Sequence, residues 1–204
     1  MKKNRKSMRK GCTAAVLAFS ILFLRTEKPQ AYMTSAPAAI ENHVSTAELK
    51  ITLTEPHWDE TKAAHMLPGS TVEKDPIVTN ISETDAWIFL EVHVPCREIA
   101  VVDETTRRKK ERSRTELFSF AASEEWELVE RRETESETVY VYGCRQIVKP
   151  GKKTAALFTS VRIVNYLEGE LSAEETLQMQ IIARAIQSSC CEKGSGLKEI
   201  YAKL

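Results

Sequence analysis

The nine residues "AWIFLEVHV", 86–94, restrict the fold of this chain more than any other stretch. Trp87, Phe89, Glu91 and His93 alternate with Ile88, Leu90, Val92 and Val94, the two-residue period of an extended strand. The aliphatic set predicts the core face, and the mixed set, His93 included, the face turned away from it. Upstream, Pro68-Gly69 supplies the fixed φ and the positive φ of a type II turn, and "TVEKDPIVTNI" continues as a strand broken at Pro76. A proline that cannot donate to a ladder belongs at an edge or a bulge. Residues 67–95 together predict a hairpin.

The same grammar runs through the rest of the chain. "LKITLTEP" alternates at Leu49, Ile51 and Leu53; "HWDETKAAHM" is a polar connection; "LFSFAASEEWELVE" gives two short strands around a turn. In "ETVYVYGCRQIV", Val139, Val141 and Gly143 oppose Tyr140, Tyr142 and Cys144, and Pro150-Gly151 then repeats the earlier turn chemistry ahead of "TAALFTSVRIVNYL". Residues 177–187 leave two readings open, because alternation from Leu177 to Ala185 suits a strand while Ser172 with Glu175 matches a helix capping box. Leu197, Ile200, Tyr201 and Leu204 fall at helical intervals and predict a short terminal helix. At least seven short strands with little helix predict an all-β, antiparallel β-sandwich.

Charge does not select a partner: 29 Lys and Arg balance 29 Asp and Glu, and nucleic acid is not expected. The exception is local, with six basic residues in the eight positions Arg107–Arg114, read as a hairpin-tip loop (103–115) or as a patch for a polyanion. "MKKNRKSMRK" followed by the apolar "GCTAAVLAFSILFL" has the layout of a signal peptide over 1–30, with the cut between 31 and 39 left open. Export follows, with membrane contact only through an uncleaved signal segment. Beyond it, 31–46 predicts an extended N-terminal segment and 47–204 one sandwich domain.

No HExxH and no GxSxG occurs. The best metal-ligand set on offer is His57 and His65 beside Asp59, in the first polar loop; the fourth histidine, His43, lies in the N-terminal segment. The five cysteines, at 12, 96, 144, 190 and 191, show no zinc spacing. A Cys96–Cys144 disulfide across neighbouring strands is one open reading, and packing without a bridge is the other. Trp58, Trp87 and Trp126 suit either sandwich packing or a carbohydrate platform.

In order and spacing, "AYMTS", "LKITLTEPHWD", "LPGSTVEKDPIVTN", "DAWIFLEVHVP", "ELFSFAASEEWELVE", "YVYGCRQIVKPGKKTAALFTSVRIVNYLEG" and "MQIIARAIQ" resemble the exported Firmicutes proteins processed by the signal peptidase SipW, the family of the matrix fibre protein TasA and of camelysin. The resemblance spans about residues 31–204. It implies a jelly-roll-like sandwich held in the extracellular matrix or at the cell surface, with "AIQ" in a strand. It also implies self-association into fibres, in which an N-terminal segment, here Tyr32 to Thr46, completes the sheet of the next subunit. Camelysin is described as a metalloendopeptidase, so the alternative implied is an extracellular protease with zinc on His57, His65 and Asp59. The Arg107–Arg114 loop and Cys190-Cys191 belong to no motif of that family.

Overall fold

The computed structural model describes residues 48–63, 66–171 and 177–204, which form ten strands, two short α-helices and one 3-10 turn, Ser188–Cys190. The strands are β1 (Ile51–Thr54), β2 (Thr71–Glu73), β3 (Ile77–Asn80), β4 (Ala86–Ile99), β5 (Ser113–Glu116), β6 (Phe118–Phe120), β7 (Trp126–Glu133), β8 (Glu137–Cys144), β9 (Ser160–Ile163) and β10 (Gln180–Gln187). Helix α1 is Glu60–Ala63 and α2 is Leu197–Tyr201. All the strand pairings are antiparallel. The result is an all-β sandwich with a short C-terminal helix. The signal-like stretch, the extended segment 31–46, His65 and the Ser172–Glu175 pair lie outside the described residues.

One layer has the order β10-β4-β8-β7, with β5 added along the far end of β4; the other holds β2-β9-β6, and β1-β3 form a separate two-stranded sheet in which β1 lies close to β10. Ile88, Leu90, Val92 and Val94 are completely buried between them, as the alternation predicts. Leu117, Leu157, Phe158, Val161 and Ile163 meet them from the other side. Within 177–187, residues 180–187 resolve as strand: Leu177, Met179, Ile181, Ala183 and Ala185 pack against this core and β10 pairs with β4 from Gln187↔Ala86 to Gln180↔His93. Both Pro-Gly turns form. Ser70 N–H donates to Leu67 O at 2.9 Å and Lys152 N–H to Lys149 O at 3.0 Å, with φ of 75° at Gly69 and 71° at Gly151.

Two expectations are corrected. Residues 67–95 do not form a hairpin, because β3 pairs with β1 in one sheet and β4 with β10, β8 and β5 in another. The chain crosses between sheets at Asn80, which is fully buried. Its amide donates to Thr84 O and Val148 O, both at 2.8 Å, and its side-chain oxygen accepts from Ser82 N–H and Oγ–H. Those bonds replace the ladder that the crossing chain gives up. Pro76 sits between β2 and β3, where regular strand lapses. Secondly, the outer face of β4 is not open. Phe89 and Glu91 are buried there, with the Phe89 ring 5.3 Å from that of Tyr201 on α2. Two amphipathic elements, a sheet face and one helical turn, have closed a second, smaller core.

Candidate functional site

The predicted metal set is not assembled by the fold. After β1 the chain runs beside residues 73–75, and Lys74 and Asp75, both buried, hold it there. Lys74 Nζ lies 2.7 Å from Glu55 Oε2 and 4.1 Å from the centroid of the Trp58 ring. His57 N–H donates to Asp75 Oδ1 at 2.9 Å, and His57 Nδ1 lies 2.7 Å from Asp75 Oδ2. That hydrogen bond, reinforced by the Asp75 charge, raises the pKa of the exposed imidazole. Asp59 accepts from Thr61 N–H and Lys62 N–H at 3.0 and 3.1 Å, capping α1. His57 and Asp59 both border an open depression of about 540 Å³, yet each is engaged by a different neighbour. Among the described residues, no group of three His, Cys, Asp or Glu is arranged to hold a metal ion. The partner that sequence reading missed is Asp75. Its only signal was a Lys-Asp pair just before a strand-breaking proline.

The other candidate side chains are dispersed. Trp126 is buried in the main core, its Nε1–H donating to Ala155 O at 3.2 Å, whereas Trp87 lies on the opposite face of the sheet and Trp58 beside Lys74. They share no platform. Cys96 and Cys144 are both buried and free. Cys96 adjoins Thr138 at the start of β8, and Cys144 ends that strand. Some six residues of strand, about 20 Å, separate the two ends, against the roughly 7 Å that a disulfide can bridge. The bridged reading is therefore corrected to packing. Cys190 is exposed and Cys191 half-buried, both free.

Charge is concentrated on the outer face of the larger sheet. Glu91 is hydrogen-bonded by Arg184 Nε–H and by Tyr201 Oη–H, the latter at 2.8 Å, with Arg132 Nη2 3.8 Å away. Burial pushes the Glu91 pKa up, but the Tyr201 and Arg184 hydrogen bonds with the Arg184 and Arg132 charges outweigh it and leave the carboxyl below its ordinary value. His93 is partly buried between Glu91 Oε2 at 3.7 Å and Glu137 Oε2 at 3.2 Å. This network joins β10, β4, β7 and α2. It is a clamp, built from β10 inward.

The two edges of the same sheet differ. On β7, "WELVERRE", five of eight residues are charged, and a bulge interrupts the pairing between Leu128 and Glu130. Charge and a bulge both blunt an edge against further pairing. On β10, "QIIARAIQ", Arg184 is the one charge in eight residues, there is no proline, and the register with β4 is unbroken. Among the described residues β4 is the strand that pairs with it, and β1 lies close by without pairing to it. No helix among them is long and apolar enough to cross a membrane. Comparison of the chain with models of known protein families, with curated proteins and with solved structures finds no match.

Proposed function

We propose that the protein is an exported structural component of the cell surface or extracellular matrix, and that copies join by strand addition: the Tyr32–Thr46 segment of one pairs with β10 of the next. The observation that carries this is the contrast between the two edges, one guarded by charge and a bulge, the other eight residues of regular, nearly uncharged strand. Such an edge offers backbone donors and acceptors for about half of its residues, and an incoming strand gains affinity from the ladder and register from alternate side chains. The signal-like N-terminus supports export, and the small, polar and β-branched residues of 32–46, with no core of their own, suit a donor. The resemblance to the TasA and camelysin family supports the same reading.

The test is assembly of the purified full-length chain, followed by light scattering and electron microscopy. Filaments are expected, and removal of residues 32–46 abolishes them. Filaments that persist after that deletion overturn strand donation, and a full-length chain that stays monomeric at every concentration overturns the structural reading.

A further inference from the structure

Residues 100–112 join β4 to β5, which pair from Ile99↔Ser113 to Cys96↔Glu116, so the basic stretch is the tip of a true hairpin. The tip is built rather than loose. Asp103 Oδ1 accepts from Thr105 N–H at 3.0 Å, Thr106 N–H at 2.8 Å and Thr106 Oγ–H at 3.0 Å, while Asp103 Oδ2 takes Lys110 Nζ at 2.9 Å. Asp103 N–H donates to Arg108 O and Arg107 N–H to Asp103 O, both at 2.9 Å, and Val102 bridges Lys109. The Thr106 N–H, with Lys110 and the Thr106 hydroxyl, holds the Asp103 carboxyl far below the ordinary carboxylate range.

The charges divide into two sets. Lys110, Arg112 and Arg114 are used internally: Lys110 on Asp103, Arg112 on Glu170 at 2.8 Å, and Arg114 on the carbonyls of Thr134 and Glu137. Glu104 is taken by Arg162 at 2.8 Å. Arg107, Arg108 and Lys109 are consecutive and exposed, with no ion pair among the described residues. Arg107 also sits at φ 57°, a conformation that Gly or Asn adopts at less cost. The turn thus carries arginine at the position least suited to it.

We propose that this tip is a docking point for a linear polymer of phosphate groups that lacks bases. Guanidinium forks match phosphate oxygens in pairs, and three adjacent cations on a fixed turn keep together the charge that a floppy loop would disperse. Residues 103–112, "DETTRRKKER", contain no aromatic ring on which a nucleobase could stack, which disfavours single-stranded nucleic acid. The inference does not depend on polymerisation.

The test uses the full-length chain at concentrations where light scattering reports no assembly, so that its failure and that of strand donation stay separate. Long-chain inorganic polyphosphate is the probe, read by anisotropy of an end label. The tip variant Arg107→Asn/Arg108→Gln/Lys109→Gln removes the charge with an asparagine suited to the left-handed position. The control Lys149→Gln/Lys152→Gln/Lys153→Gln removes the same charge near Val148, which bridges Ala86 at the start of β4, the end remote from the tip. The N-terminal basic stretch is common to all chains, so differences report the tip. Tripling the salt is expected to weaken the tip's share of the parent's binding about tenfold, as three neutralised phosphates of a flexible chain require. The tip variant is expected to bind about tenfold more weakly than the parent at the lower salt, with a salt slope shallower by about that of three phosphates, and the control to bind as the parent does. A tip variant that binds like the parent overturns the proposal, as does equal loss in tip and control variants. Tighter binding of a single-stranded oligonucleotide than of polyphosphate, or binding of heparin alone, overturns the assignment to a base-free phosphate polymer.

Discussion

Glu91 shows at the scale of one residue how a polar group in an apolar run becomes structural. Alternation placed it on the face opposite Leu90 and Val92, and it is there. What alternation could not supply was the lid: Tyr201 comes from 110 residues away and Arg184 from 93. Its lowered pKa fixes the sign of a pH effect. A carboxyl held below its ordinary value contributes stability above the unfolded pKa of about 4.3, and that contribution is lost as pH falls below it. Glu91→Gln keeps the shape but leaves Arg184 and Arg132 facing a neutral amide, so a loss of about 1–3 kcal/mol is expected at pH 7. Urea midpoints of parent and variant measured from pH 7 down to pH 3 are expected to converge at the acid end; a constant gap would show that charge is not what Glu91 contributes. His57 and Asp59 teach the complementary lesson, since nearness in sequence predicted a shared ligand and local hydrogen bonding sent them to different partners.

Among the elements, those whose evidence is local were legible and those that depend on a distant partner were not. Both Pro-Gly turns, the aliphatic face of β4, the strand–turn–strand of 118–133 and the terminal helix follow from residues within a few positions of each other. The crossing at Asn80 does not. The sequence there alternates as a hairpin would, and only the long-range pairing of β3 with β1 decides otherwise. Helix α2 illustrates both cases, for its spacing announced a helix but not the face it covers. Its fit over β8 is close. A Cβ built on Gly143 would lie 2.9 Å from Phe89 Cε1 and 3.2 Å from Leu197 Cδ1. Gly143→Ala should therefore lift the helix or tilt the Phe89 ring, at about 1–3 kcal/mol. Chemical denaturation measures the loss; an unchanged midpoint would mean that α2 is not seated on the sheet.

At the largest scale, the described residues form a sandwich whose larger sheet ends in two unlike strands, a charged and bulged β7 and a regular β10. Five charges and a bulge blunt β7 against further pairing, and the Glu91 network secures β10, a regular strand with one charge, to the body of the sheet. A protein that joins to its own kind by strand addition needs this asymmetry, because two open edges would permit uncontrolled sheet growth and two closed ones none. Strand addition requires β10 to be the acceptor. Amide hydrogen exchange across the assembly reaction tests it most directly, reading monomer against assembled protein peptide by peptide. Assembly is expected to slow exchange within Gln180–Gln187 and to leave Trp126–Glu133 unchanged; new protection in Trp126–Glu133, or none in either strand, would contradict it.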